Sequence, residues 1–268
     1  MSRLDNNGQL DRATSSGNLA QRLEANKAYS SADFDGWLMQ RLEVKSGEDV
    51  LDVGCGIGAQ TLLFAKQVQP GGSVSSLDLS QVSIETLKRS LDPDDPVQAV
   101  TGDMAGLQHL IDAAFSVQRY DLAQSTYALY YAEAPAEVLG TMKRALKPGG
   151  RMAGFVPNSP HGLVELAAKY STIPDPVYAS LRFGPEVLEP WFKANFKSVT
   201  IDHFHNVVTV PTAEELLNYY RATTYHDATA EPRLRDEVAA EIRRTGVYSY
   251  EKNGFLIRGT DGHASANA

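Results

Sequence analysis

Asp52 followed by glycines at 54, 56 and 58 is the group of residues in this chain best suited to hold a charged, nucleotide-like ligand. Glycine lets a ligand come into contact with the backbone. The run Gln60 to Lys66 reads as the first turns of a helix whose N-terminal amides face the same space. Two further acids end apolar runs downstream, Asp78 after Val74-Ser75-Ser76-Leu77 and Asp103 after Val97-Gln98-Ala99-Val100-Thr101-Gly102. The spacing Gly54-x-Gly56-x-x-Ala59, with Asp78 beyond it, also meets the fingerprint of a dinucleotide site. A carboxylate at Asp52 would repel a pyrophosphate, however, and suits a ligand with a positive end.

To position such residues the chain must alternate strands with helices. Apolar runs at 49–53, 74–79, 97–101, 120–125 and 151–156 are separated by helical stretches at 59–68, 81–91, 105–114 and 135–146. That is the pattern of a doubly wound, mostly parallel sheet with helices on both faces. Ahead of it, Asn26 to Leu42 carries Phe34, Trp37, Leu38 and Leu42 on one helical face. After Val156 the rhythm changes. Pro157 to Gly162 reads as a turn-rich break, and Leu163–Tyr170 and Pro185–Phe196 as helices with Phe183-Gly184-Pro185 as a punctuated start. Lys197–Val210 reads as strand, Thr212-x-x-Glu215 as a capping box, Arg233–Arg244 as a helix and Tyr248–Arg258 as the final strand. The expected organisation is one domain over 21–259, with lid insertions at 157–196 and 211–245. A flexible arm at 1–20 and a flexible tail at 260–268 flank it.

Asp52 with its glycines, Asp78, Asp103 and the turn Leu146-Lys147-Pro148-Gly149-Gly150-Arg151 together resemble the class I S-adenosylmethionine (SAM)-dependent methyltransferases. The resemblance covers roughly Gly47 to Val156, with weaker echoes to Ile257. It implies a Rossmann-like, seven-stranded, mostly parallel sheet and SAM as cofactor, with S-adenosylhomocysteine as product. Carried onto this sequence, Asp52, Gly54, Gly56 and Gly58 would face the methionine part of the cofactor. Asp78 would bind the ribose hydroxyls; Asp103 and Met104 would bind and cover the adenine. Gln60, Leu79, Gly102 and Gln124 complete the expected cofactor set, and Tyr29 could close on the methionine end. The overall order resembles the ubiquinone/menaquinone-type methyltransferases, which makes carbon methylation of an activated ring the runner-up chemistry.

Methyl transfer from a sulfonium is an in-line displacement, so the protein mainly aligns donor and acceptor and excludes water. The acceptor must therefore be read from what lines the site. Ligands of such sheets sit beyond the carboxyl ends of the strands, which brings Gln124 to Tyr131 to the crevice. Tyr127 and Tyr130 are candidates to orient or stack on the acceptor; aromatic packing is the alternative for each. His161 is the best-placed histidine for a general base, with an ordinary loop histidine as the alternative. His203 and His205 share a strand face, but no acid-and-histidine set completes a metal site, so no metal is expected. An Asn/Asp-Pro-Pro-Tyr/Phe element, used on nucleobase or amide nitrogen, is absent.

The 268 residues, 43% hydrophobic and 22% charged, are those of an ordinary globular chain. A net charge of -8 disfavours a nucleic-acid partner. The single Cys55 excludes an internal disulfide and fits a reducing compartment. No run approaches the ~18 apolar residues of a membrane span, and the polar N-terminus has no secretion-signal pattern, so the expected location is cytoplasmic. The expected activity is methylation of an O, N or C atom of a small aromatic or secondary-metabolite acceptor. A non-catalytic SAM-binding scaffold and an NAD-dependent oxidoreductase are the rivals. Whether two copies form a homodimer is open.

Overall fold

The computed structural model describes residues 15–262. At its centre lies β1 (Asp49–Val53), whose near-continuous apolar run is buried on both faces. Parallel neighbours are β2 (Ser73–Asp78) and β4 (Tyr120–Thr126); β3 (Val97–Thr101) continues beyond β2, and β5 (Leu146–His161) beyond β4. Three further strands follow, β6 (Ser198–Phe204), β7 (Val207–Val210) and β8 (Tyr248–Thr260): β8 runs antiparallel to β5, and β6 and β7 each pair antiparallel with β8. The order is β3-β2-β1-β4-β5-β8-β6, with β7 pairing the outer part of β8. This is the expected seven-strand path plus one short strand. It departs from the 3-2-1-4-5-6 order of dinucleotide-binding sheets, so the fold does not support the nicotinamide alternative. The chain reverses direction across the sheet between β1 and β4, the position where open α/β sheets bind ligands.

One sheet face is covered by α5 (Leu107–Ala113), α6 (Pro135–Arg144) and the segment around Phe192. The other is covered by α2 (Phe34–Leu42) and α3 (Ala59–Gln67), with α4 (Gln81–Ser90) beside them. The expected helix over 26–42 is in fact two. The first, α1 (Ser16–Tyr29), ends before Asp33, whose carboxylate caps the amide of Gly36 and starts α2. Residues 16–20 are thus helical rather than part of an arm; the rest of the expected arm (1–14) and most of the tail (263–268) lie outside the described residues.

Beyond Val156 the structure corrects three readings. Pro157 to His161 is not a turn but the end of β5, paired with Gly254, Asn253 and Lys252 of β8. β4 stops pairing at Phe155, so past that point β5 has a partner on one side only, where proline is tolerated. Gly184-Pro185 does not start a helix either. The chain runs helically from α8 (Asp175–Phe183) through a widened π turn at Gly184–Leu188 into α9 (Glu189–Asn195). Gly184 is there because a side chain would lie 2.6 Å from the Phe255 ring. Finally, the strand expected over 197–210 is broken at His205-Asn206. Buried Asn206 receives the Ala32 amide (3.3 Å) on its side-chain oxygen and gives its own amide to Asn253 (3.2 Å).

A second core forms over the outer part of β8. It joins α7 (Gly162–Ala168), α8, α10 (Ala213–Arg221) and α11 (Glu231–Thr245) through Leu163, Leu216, Tyr220, Leu234 and Val238. The capping box is present: Thr212 Oγ1 accepts from the Glu215 amide at 3.2 Å.

Candidate active site

The glycine turn forms as its residue types require. Gly54, Gly56 and Gly58 have φ of 76°, 55° and 89°. A side chain at Gly54 would stand 2.2 Å from Ala128 Cβ, so this turn and the loop after β4 touch. A side chain at Gly56 would stand 2.8 Å from Leu19 Cδ2, because α1 lies over the turn. From the next strand, Asp78 accepts the Gly56 amide on Oδ2 (2.8 Å) and the Ser80 amide on Oδ1 (2.9 Å). The expected ribose ligand thus also fixes the shape of the turn.

Asp52 is placed differently from expectation. It is only 1% exposed, with Oδ2 accepting from Thr61 Oγ1 at 2.6 Å and Oδ1 accepting from Gln124 Nε2. Lying in the central strand, it holds Gln124, itself 1% exposed, whose Oε1 accepts from Thr126 Oγ1 at 2.9 Å. Burial raises its pKa to about 7, opposed by the bonds from Thr61 and Gln124 and reinforced by the charge of Asp78. Cys55 is buried and burial raises its pKa too, which makes it a packing residue.

Of the remaining cofactor candidates, Leu79, Gly102, Asp103 and Met104 follow strand ends, while Gln60 and Tyr29 lie in helices. Gly102 gives its amide to Asp78 O (2.9 Å), and a side chain there would meet Leu110 at 2.5 Å. Asp103 is exposed and caps the 3-10 turn 104–106 by accepting from the Ala105 amide. Met104 lies across Gly54, its methyl 3.9 Å from where a Gly54 Cβ would stand. Leu79 is 46% exposed at the rim. Gln60 reaches away, to Asp35 at 3.3 Å. Tyr29 also points elsewhere, donating to Glu215 at 2.6 Å, because the capping carboxylate of α10 offers it a charged acceptor.

Across the crevice, Tyr127 adopts φ 58°, an unusual backbone for a non-glycine residue and a feature that clusters at functional sites. Its ring packs 4.9 Å from Phe155. Tyr130 and Tyr131 follow with ring centroids 4.5 Å apart. Burial raises the pKa of all three phenols. His161 closes the far side, 8% exposed, with Nδ1 lacking a hydrogen-bond partner. Burial, then the neighbouring Lys252 ammonium, lowers its pKa to about 3. It is therefore neutral at physiological pH and a weak proton acceptor, which corrects the general-base expectation. His226 is held by Glu231 at 2.8 Å. Among the described residues no group of His, Cys, Asp and Glu is arranged to hold a metal.

Two residues of this enclosure were missed in the sequence. Lys252 donates to Tyr219 Oη (2.5 Å) and Asn26 Oδ1 (2.6 Å), and Arg22 donates to Ala222 O (2.7 Å). A signal existed for Arg22: Leu19, Arg22, Asn26 and Tyr29 recur at helical steps.

A positive-φ glycine turn at the β1/β4 reversal, acids ending β2 and β3, and an antiparallel β8 define a class I methyltransferase fold. The chain belongs to the methyltransferase-domain family, whose model matches residues 44–179. It is 27% identical over 132 residues to a demethylmenaquinone methyltransferase of Lactobacillus johnsonii, covering 48% of this chain and 53% of that protein. The chain spans about a third to about half the length of the curated relatives it matches. In fold it is similar to a Bacillus halodurans protein (TM-score 0.59, 19% identity, 86% of this chain and 99% of that one). It is also similar to a Haemonchus contortus phosphoethanolamine N-methyltransferase solved with S-adenosylhomocysteine (TM-score 0.52, 17% identity, 85% and 52%). The class I SAM-dependent family named by the sequence motifs is upheld.

Proposed function

We propose that this chain transfers the methyl group of SAM to a nucleophilic atom of a small, flat acceptor, leaving S-adenosylhomocysteine. The observation that carries this reading is the contact of the Gly54 turn with Ala128, which sets the cofactor loop against the Tyr127–Tyr131 enclosure. On this reading Gly54, Gly56 and Gly58 let the methionine end approach the backbone, and Asp78 takes the ribose hydroxyls. Asp103, Gly102, Met104 and Leu79 receive the adenine, while Gln124, held by Asp52, faces the sulfonium side. SAM supplies an activated methyl group when bound; the protein supplies alignment and a dry enclosure. Tyr127 and Tyr130 orient the acceptor. A ring carbon is the second reading for the atom methylated, favoured by the demethylmenaquinone methyltransferase among the relatives.

Calorimetric titration with S-adenosylhomocysteine, run beside NADH, tests the cofactor assignment. Micromolar or tighter S-adenosylhomocysteine binding with no NADH heat is expected. NADH binding without S-adenosylhomocysteine binding would overturn it.

A further inference from the structure

We infer that the acceptor carries an acidic oxygen, a carboxylate, phenolate or enolate, and is held as an anion by Lys252 and Arg22; this rests on the methyl-transfer reading above. Both cations are half-buried and meet the end of α10: Lys252 bonds the Tyr219 hydroxyl, and Arg22 bonds the Ala222 carbonyl three residues on. Tyr219 and Tyr225, on either side of Ala222, pack in the same second core. Arg22 stands one helical turn along α1 from Leu19, which rests on the Gly56 turn, so the pair borders the cofactor loop.

Neither cation has a carboxylate partner among the described residues. The nearby acids are engaged elsewhere: Glu215 by Tyr29 and Thr212, Glu231 by Arg221 and His226. A half-buried positive charge satisfied only by neutral oxygens retains attraction for an anion, since water screens it less than it would on the open surface. The phenols add hydroxyl donors, and donors to a charged acceptor bind more strongly than to a neutral one.

Among the described residues, none of the side chains grouped here is suited to take a proton at neutral pH. The phenols hold their protons more firmly than usual, and His161 is too weakly basic. An acceptor that arrives ionised needs no protein base. Its lone pair attacks the methyl carbon, the carbon–sulfur bond breaks toward sulfur, and neutral S-adenosylhomocysteine leaves.

The test is binding to protein saturated with S-adenosylhomocysteine at pH 7.5, with that saturation measured first. Benzoate and 2-naphthoate are compared by calorimetry with the isosteric benzamide and 2-naphthamide. The acids should bind at least tenfold more tightly, and Lys252→Met and Arg22→Met should each remove most of that preference while S-adenosylhomocysteine affinity stays within threefold. Equal binding of acid and amide, no binding of either, or a preference unchanged in the Met variants would overturn the inference. If Lys252→Met fails to fold by circular dichroism, Arg22→Met alone decides. Failure to bind S-adenosylhomocysteine at all would instead count against the methyl-transfer reading.

Discussion

Replacing Asp52 with Asn should make the protein progressively more stable than wild type as the pH is raised from about 4 to about 7.5. Asp52 is enclosed in the central strand and titrates near 7, against 3.8 as its ordinary value. Below pH 3.8 the carboxyl is protonated in both folded and unfolded chains, and no penalty exists. Between 3.8 and 7 the folded protein binds the extra proton, so native stability falls with rising pH; above 7 the loss is complete. Complete separation of the two pKa values corresponds to about 4 kcal/mol. Asn cannot ionise, so it escapes the loss, although it offsets part of the gain by replacing one acceptor oxygen with an amide. Thr61 and Gln124 can both reverse their roles toward an amide, one by accepting on its hydroxyl and the other by turning its own amide. Urea melts of both proteins at pH 4.5, 5.5, 6.5 and 7.5 give the difference directly, and other titrating groups cancel in it. The difference should grow by roughly 2–4 kcal/mol across the series. Parallel curves would refute the claim that the buried carboxyl resists ionisation.

Gly54→Ala should lower Tm by roughly 6–12 °C, from about 3 kcal/mol of overlap with Ala128 and left-handed strain. Adding Ala128→Gly should restore part of that loss in the same thermal melt, whereas full restoration would show that backbone strain is unimportant there. Asp78→Ala should weaken S-adenosylhomocysteine binding at least tenfold by calorimetry, having lost the acceptor for Gly56 and Ser80 as well as the proposed ribose bonds, about 1.5–3 kcal/mol each for charged acceptors. Unchanged affinity in a folded variant would remove Asp78 from the site. The unfolded imidazole of His161 takes a proton near 6.5 and the folded one only near 3, so wild type should lose stability as the pH falls through that window. His161→Gln should lose less of it, and urea midpoints from pH 7 to 4 will show whether it does.

The parts of this molecule written in short-range patterns were legible before any coordinates. Glycine-acid spacing, apolar runs and Thr212-x-x-Glu215 are each local, and each appears where the residues demanded it. What misled was punctuation. Proline and glycine normally stop an element, yet Pro157 and Pro160 sit in a strand and Gly184-Pro185 sits in a helical run. There tertiary context decided: β8 offered a partner on one side only, and the Phe255 ring required a glycine beside it. The acceptor-side cations were hidden for another reason. Arg22 and Lys252 stand at opposite ends of the chain, and only the wrapping of α1 across β8 brings both to the end of α10. The misplacement of Asp52 was subtler, since its position at a strand end was right and only its reach was wrong.

Strand β8 is one unbroken ladder member shared by two cores: residues 254–260 pair with β5 and β6 in the central sheet, and residues 248–251 pair with β7 beneath the second core. A flap needs a hinge, and a hydrogen-bonded strand passing from base to flap leaves no place for one. The helical cover beyond His161 is thus geared to the sheet as a rigid wall. By contrast α1 is tied to that wall by side-chain bonds from Gln21, Arg22, Asn26 and Tyr29, each separately breakable. Traffic through the crevice should therefore be governed by this one helix. Because Leu19 rests on the cofactor turn, departure of α1 would uncover that turn.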